Sequence, residues 1–413
     1  MSSQRSIAIV GAGLGGLVCA RILQLQNVPV VVYEREPTHT SRQQGGSLDM
    51  HAGSGLKALQ MAQLIDEFKK VARYEDQNMK IVSMDGTVHF ADLELPPEEQ
   101  INERPEVDRT QLRQILLDSL KPDTVKWNKG ISKIVQGSNK ATLHFLDAAL
   151  EPAVHDFVVG ADGTWSRARP TLSSIVPEYS GVTIVDIFLH DVEQKHPDLA
   201  AFVAGGGAMV LGDNKAIMPQ RNSNDVVRVY VAFRKPLEWL DEVGLKSLIE
   251  DGRQAEARAL LLAQFDGWCP EATGYIQVPS SSLDLRPLYT FKRHSWDANP
   301  HVTIIGDAAH CMVPFAGEGA NLAMMDGAEL ATVIAKNMSA NEASWLHAIK
   351  GFEAKMQRRA WSTTEEAVGF MNMFIADGDS ATRAGAMFRR MMMAANAWRN
   401  VKRFAFGWTK WLW

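Results

Sequence analysis

The sequence predicts an α/β fold in which a doubly wound, parallel-stranded lobe carries an inserted antiparallel β lobe and ends in a long C-terminal helix. Three observations predict it. A short apolar run at Ile7–Val10 passes into a glycine turn and then a helix. Two later apolar runs, Phe157–Gly160 and His301–Ile305, end on glycine and aspartate in the same manner. Between them, from Gly181 onward, the texture changes to short β-rich segments punctuated by Gly, Asn and Asp.

Taken in order, Ile7–Val10 reads as a buried strand, Gly11–Gly16 as a turn, Leu17–Gln26 as a helix and Val28–Tyr33 as a second strand. Together they form a βαβ unit, the connection parallel strands require. Helices are expected at Gly53–Lys70 and Thr110–Leu120, the second with Leu112, Ile115, Leu116 and Leu120 on one apolar stripe. Ile81–Asp92 reads as a hairpin turning at Asp85-Gly86. Further strands are expected at Val182–Leu189, Gly207–Leu211, Ala216–Pro219 and Val226–Arg234. The chain then returns at His301–Ile305, so insertion of one lobe within the other is the simplest account. Beyond Asn341 the pattern is helical, through Phe352, Met356, Ala360 and Trp361.

The chain has 413 residues, 46% hydrophobic and 22% charged, enough to build sizeable cores for two or three lobes. A net charge of -5 without a long block of one sign gives no footprint for nucleic acid, which leaves a small molecule as the expected partner. Cys19, Cys269 and Cys311 are widely spaced and form no CxxC pair, so reduced thiols are expected rather than disulfides or a metal site. The first strand follows the N-terminus directly, leaving no room for a signal peptide. No apolar stretch approaches the roughly 20 residues that span a bilayer. A cytoplasmic monomer is expected.

Gly11-Ala-Gly13-Leu-Gly-Gly16 follows a strand and opens a helix. The first glycine permits a tight turn, the second lets backbone approach a pyrophosphate, and the third lets helix and strand pack closely. Glu34 closes the second strand, where a carboxylate accepts hydrogen bonds from ribose hydroxyls, and Arg35 follows it. The same glycines also suit a ligand-free turn. Asp162, after Phe157-Val-Val-Gly-Ala, and Asp307, after Ile304-Ile-Gly, each stand at the carboxyl end of a strand, where doubly wound sheets hold ligands. Each alone also suits a turn or a helix N-cap. Pro314-Phe-Ala-Gly317-Glu-Gly319-Ala-Asn321 feeds the apolar helical run Leu322–Ile334, whose free N–H groups suit negative charge.

The trio GAGLGG, GADGTWSRAR and GDAAHCMVPFAGEGANLAMMD resembles the flavoprotein aromatic hydroxylases, the family of para-hydroxybenzoate hydroxylase, over nearly all of the chain. Tyr33-Glu-Arg35, Arg42, Gly45-Gly-Ser-Leu-Asp49-Met-His51, Pro105-Glu-Val-Asp-Arg109 with Leu112-Arg113, and Pro314-Phe-Ala-Gly317 most resemble the tetracycline-inactivating flavin monooxygenases. The resemblance implies a Rossmann-like FAD-binding domain of the GR2 type, formed by residues 1–72, 105–180 and 292–345. It implies a substrate-binding domain of residues 73–104 and 181–291, and a helical segment at 346–413. FAD is the implied cofactor, NADPH or NADH the electron donor, O2 the co-substrate, and an aromatic or polycyclic small molecule the substrate. Oxygen transfer would proceed through a flavin C4a-hydroperoxide kept dry by the protein.

Carried over residue by residue, the resemblance implies that Gly11, Gly13 and Gly16 cradle the pyrophosphate, Glu34 holds the ribose and Arg35 lies near the adenine. Asp307 would bind the ribityl or pyrophosphate region, with Gly46, Asp49 and Arg109 as further FAD contacts. Asp162 would shape the dinucleotide site and Arg42 would face NADPH. Pro314, Phe315 and Gly317 would form the catalytic environment of the flavin without a protein nucleophile, while Gly319, Ala320 and Asn321 present a helix N-terminus to its N1–C2=O edge. Glu318 stands where the tetracycline-inactivating relatives have glutamine, and an inward, ionised carboxylate opposes an anionic flavin. His310 suits either a base or a structural histidine behind its strand.

In Val226–Phe233, alternation puts Val227, Val229, Val231 and Phe233 on one face and Arg228 and Tyr230 on the other. That second face meets solvent or, if its sheet roofs the flavin, substrate, together with Phe188 and Phe315. Phe188 and Arg228 stand where the relatives place polar drug-contacting groups, so tetracycline is not the expected substrate. A flavin-dependent dehydrogenase or reductase without oxygen insertion, and a non-catalytic flavin-binding protein, are the alternative functions. The Arg- and Trp-rich stretch from Ala386 to Trp413 suits a packed terminal helix or a membrane-surface segment.

Overall fold

The computed structural model describes residues 5–41, 46–74, 79–91, 104–279 and 283–409, with backbone alone from residue 395 onward. The chain divides into two units. One comprises Met1–Glu75, Pro96–Ser180 and Tyr289–Phe370, and the other Asp76–Leu95, Gly181–Leu288 and Met371–Trp413.

The first unit is built on a five-stranded sheet of β1 (Ile7–Val10), β2 (Val30–Tyr33), β3 (Val125–Lys126), β4 (Phe157–Gly160) and β5 (Val302–Ile304). The order is β5-β4-β1-β2-β3 and every neighbouring pair is parallel. Every residue of β1, β4 and β5 is buried, as expected of parallel strands covered on both faces. Helix α1 (Leu14–Leu25) packs against α3 (Gly319–Asn337), with α2 (Arg109–Asp118) between them in the chain. A Cβ on Gly15 would lie 2.5 Å from the Ala323 carbonyl oxygen, and one on Gly327 2.2 Å from that of Gly15, so the two helices meet backbone to backbone. Trp345 at the start of α4 (Glu342–Phe374) packs edge-on against Phe157 at 4.9 Å and donates its indole N–H to the Pro300 carbonyl.

Helix α1 starts three residues ahead of the expected Leu17, because the last glycines of the motif already lie inside its first turn. The single helix expected at Gly53–Lys70 is two, Gly55–Met61 and Ile65–Lys69. Gln63 adopts a left-handed φ of 58° and the Leu64 N–H closes back onto Leu59, a helix-ending geometry. Buried Leu59, Ala62, Leu64 and Phe68 keep an unbroken apolar pattern across the stop, which hides it in the sequence. An antiparallel ribbon of Ile131–Gln136, Ala141–Phe145 and Ala153–His155 also belongs to this unit.

The second unit carries a seven-stranded sheet. Its strands Glu178–His190, Val226–Arg234, Lys215–Asn222 and Gly207–Gly212 pair antiparallel in that order. Gly207–Gly212 then pairs in parallel with Met79–Ser83, the first arm of the expected hairpin, whose turn is made by Gly86 at φ 88°. Val227, Val229, Val231 and Phe233 are fully buried, and what buries them is a set of short helices between Trp239 and Gln277 that strand punctuation did not reveal. The helical C-terminal region is two helices, α4 and α5 (Ser380–Thr409), parted near Gly378 at φ 71°. Phe388 of α5 packs 5.5 Å from Phe90 of the hairpin. Trp398, Trp408, Trp411 and Trp413 lie outside the described side chains. No helix among the described residues is long and apolar enough to cross a membrane.

Candidate active site

The parallel register decides where the three glycine and aspartate corners fall. Val10 is level with Tyr33 and Gly160, and Gly160 is level with Ile304, so β1, β2, β4 and β5 end in one row. Gly11, Glu34, Asp162, Gly306 and Asp307 therefore emerge along a single carboxyl edge, the place where doubly wound sheets hold ligands. Hydrogen bonds continue the ladder past the strands: Gly11 N–H to Tyr33 O at 2.8 Å, Ala161 N–H to Val10 O at 2.8 Å and Ile305 N–H to Gly160 O at 2.9 Å.

The three motif glycines have different duties. Gly11 has φ 103°, and a Cβ there would sit 2.4 Å from the Ala161 oxygen. A Cβ on Gly16 would sit 2.3 Å from the Gly11 oxygen. At Gly13, the residue capping α1, a Cβ would meet nothing within 4 Å. Only this glycine borders open space at a helix N-terminus, which is what a pyrophosphate needs. Buried Glu34 accepts a 2.6 Å hydrogen bond from Ala12 N–H and another from Glu36 N–H at 3.0 Å. Arg35 is largely exposed beside Glu36. Arg113 of α2, one of the residues that carry the resemblance but to which the sequence assigned no role, is buried and donates to the carbonyls of Ala12 and His39, both at 3.0 Å.

Asp162 turns onto its own loop, accepting from the Ser166 hydroxyl and the Arg167 N–H at 2.6 Å each and from Ala168 N–H at 3.2 Å. Burial pushes its carboxyl above the usual carboxylate range despite these bonds. Asp307, in contrast, is exposed at the start of the short helix Asp307–His310. His310 behind it is buried, with Nε2 2.5 Å from Asp326 of α3, and Asp326 also accepts from Gly306 N–H at 3.1 Å and from Arg359 at 2.7 Å. Burial by itself would lower His310, but the Asp326 charge and hydrogen bond carry it above the ordinary histidine value. The same pair, with Arg359, holds Asp326 below the carboxylate range against the opposing effect of burial. This network makes His310 a tie between β5 and α3.

Pro314–Ala316 forms a 3₁₀ turn, Gly317 takes φ 67°, and α3 begins at Gly319. Pro314 and Gly317 are exposed, and Phe315 and Ala320 are half-buried. A Cβ on Gly319 would find its nearest neighbour only at 4.0 Å. The first turn of such a helix has no preceding carbonyls for its N–H groups. Asn321 is fully buried and its amide is spent within the protein: Nδ2 donates to Asp49 O at 2.7 Å and Gly317 O at 3.2 Å, and Oδ1 accepts from His51 N–H at 3.0 Å. The short strand Ser47–Asp49 pairs with Glu106–Asp108, and Arg109 N–H donates to Gly46 O at 3.1 Å. Gly46 has φ 107°. Burial pushes the Asp49 carboxyl up against the pull of His51 and Arg104, and burial with Asp49 pushes Glu106 up. Glu318 turns to His51, its Oε1 on Nδ1 of the ring, and accepts from the Ser54 hydroxyl at 3.3 Å. Arg42 lies outside the described residues.

In the second unit, Arg228 is buried rather than solvent-facing. It pairs twice with Asp186, at 2.8 and 3.2 Å, and its guanidinium lies over the rings of Tyr230 at 4.7 Å and Phe188 at 5.0 Å. Arg286 also reaches Asp186 at 2.8 Å. No group of side chains suited to a metal ion occurs among the described residues.

A level row of glycine and aspartate corners on a parallel sheet, with helix N-termini behind it, defines a dinucleotide-binding α/β protein. Within that class, the chain belongs to the FAD binding domain family, whose profile matches residues 4–367. It is similar to monooxygenase penA of Penicillium thymicola, 28% identical over 375 residues that cover 80% of this chain and 84% of that one. Its fold is similar to that of HpxO from Klebsiella pneumoniae, solved with FAD and uric acid, with a TM-score of 0.75 at 21% identity over 93% and 92% of the two chains. It is also similar in fold to tetracycline destructase Tet(51), with a TM-score of 0.69 at 17% identity over 95% and 97%. The flavoprotein family expected from the sequence is the family found.

Proposed function

We propose that this chain is an FAD-dependent monooxygenase that takes electrons from NADPH or NADH and uses O2 to hydroxylate or otherwise oxygenate an aromatic or polycyclic small molecule. The observation that carries this reading is the shared edge of Gly11, Glu34, Asp162 and Asp307, with open space at Gly13. The kinship with penA supports the monooxygenase class, and the uric acid and tetracycline in the names of the two solved structures support a ring-bearing substrate.

In this proposal the backbone of Gly11, Gly13 and Gly16 receives the pyrophosphate at the start of α1, Glu34 and Arg35 hold the adenosine end, and Asp307 holds the ribityl or pyrophosphate region. Gly46, Asp49 and Arg109 would make further FAD contacts and the Gly317–Asn321 backbone would face the ring, while Asp162 would shape the dinucleotide site and Arg42 would meet the nicotinamide donor. When bound, FAD supplies the redox and oxygen chemistry. The residues of the chain bind and orient it: the N-terminal N–H groups of α3 stabilise negative charge on the ring, and Pro314 and Phe315 exclude water from its reacting face. Residues 73–104 and 181–291 supply the substrate contacts, with Phe188, Arg228 and Tyr230 the candidates.

The test is a screen of phenolic, heteroaromatic and polycyclic compounds against the purified holoprotein, following NADPH and NADH oxidation in labelled dioxygen. A product heavier by one labelled oxygen atom supports the proposal. Oxidation of the donor with peroxide as the sole oxygen product supports a reductase instead, and retained FAD without any stimulated turnover supports a binding protein.

A further inference from the structure

The pairing of His51 with Glu318 leaves one buried atom unexplained. Glu318 lies between Gly317 and Gly319, inside the loop that opens α3, and its carboxylate takes Nδ1 of His51 on one oxygen and the Ser54 hydroxyl on the other. The His51 backbone is fixed to the same loop through Asn321, which also grips Asp49 and Gly317. His51 is thus held at its backbone N–H and at Nδ1, with its side chain 11% exposed. Nε2, however, is buried and has no hydrogen-bond partner among the described residues. Buried polar atoms are nearly always satisfied, and an orphan costs its full desolvation. His310 has an orphan Nδ1 as well, but its acid partner is tied into the Arg359 and Gly306 network away from the loop. His51 is the one whose partner belongs to the loop itself.

In the neutral imidazole a carboxylate on Nδ1 keeps the proton there, which leaves the lone pair on Nε2 and makes that atom an acceptor. Oxidised isoalloxazine has a single ring N–H, at N3. We propose that His51 Nε2 accepts the N3–H of the bound flavin, with Glu318 fixing the ring's tautomer and orientation. The proposal rests on the flavin reading above. It also accounts for a carboxylate in this loop: Glu318 is engaged by His51 rather than directed at the cofactor.

The experiment titrates the apoprotein with FAD and, separately, with ADP, and records the nitrogen NMR shift of N3 in labelled FAD. His51→Asn, which keeps a group near Nδ1 and removes the one at Nε2, is expected to weaken FAD about tenfold, the size of one hydrogen bond to a buried group, while ADP binds as before. The N3 signal is expected to move toward that of a flavin lacking an acceptor. His51→Gln, whose amide oxygen reaches the Nε2 position, recovers part of both, and Glu318→Gln stays closer to wild type than Glu318→Ala. Equal losses of FAD and ADP in His51→Asn, or an unmoved affinity and N3 signal, overturn the proposal. Wild-type protein that binds ADP but not FAD, or neither, overturns the flavin reading itself.

Discussion

The Glu34 carboxylate reaches back across the first βα turn to accept the Ala12 N–H at 2.6 Å, while Arg113 donates to the carbonyl of the same residue at 3.0 Å. Two successive peptides of the glycine turn, on either side of Ala12, are thus held by an acid just past β2 and a base from α2. Replacing Glu34 with Ala leaves a buried N–H without its partner and a buried arginine without the nearby charge that favours it. The expected loss is about 1–3 kcal/mol of unfolding free energy. Urea denaturation of the apoprotein measures it, and an unchanged midpoint contradicts the clamp.

Two glycine substitutions in the same turn separate folding from binding. Gly16→Ala drives a methyl to within 2.3 Å of the Gly11 oxygen, so it should lower the melting temperature or prevent soluble expression. Gly13→Ala meets no protein atom within 4 Å and keeps an allowed extended backbone. Its melting temperature as apoprotein should match wild type, with FAD retention through gel filtration sharply reduced. Equal retention in Gly13→Ala and wild type contradicts the assignment of that space to a pyrophosphate.

The buried His310–Asp326 pair makes stability depend on pH from two directions. His310 is raised above its ordinary 6.5, so its contribution is complete below that value and fades as pH climbs through the raised one. Asp326 is lowered below 3.8, so its contribution is complete above that value and fades as pH falls through the lowered one. Wild type should therefore exceed His310→Asn in stability by the widest margin between these limits, near about pH 5. Asp326→Ala, which leaves both His310 and Arg359 without their acid, should cost about 3–5 kcal/mol. Urea midpoints taken across the pH range decide it, and a margin that widens with alkalinity has the wrong sign.

All three thiols are free and buried. Burial pushes Cys19 and Cys311 up to about 12 and raises Cys269 as well. Since the thiolate is the reactive species, the native protein should react slowly or not at all with a thiol-specific disulfide reagent, and fully in denaturant. Rapid release of one equivalent from the native protein contradicts this arrangement.

The strand-ending corners could be read from sequence because parallel core strands are continuously apolar and their ends are marked by glycine and aspartate, as at Val10-Gly11 and Gly160-Ala-Asp162. Their level alignment is a property of sheet register and was only an expectation until Val10, Gly160 and Ile304 were seen side by side. Buried polar partnerships were less legible. Arg228 alternates with valines in a pattern that a solvent-facing arginine would share, and only the position of Asp186 on the neighbouring strand reveals an ion pair. Arg113 and Glu318 stand in motifs the sequence displays, but their partners, Ala12 and His51, are distant in the chain and carry no local mark. The stop at Gln63 was invisible because its left-handed backbone belongs to a residue type that rarely adopts one.

The contact of Gly15 with Ala323 and Gly327 has a mechanical meaning. One helix of that pair issues from the glycine turn and the other from the Pro314–Asn321 loop, and because backbone meets backbone at Gly15 and Gly327, neither can slide or tilt there without a collision. The two loops are thereby mounted like the fixed jaws of a caliper. A molecule that engages both must match a set span, so a half-length nucleotide can fill one jaw but not close the gauge.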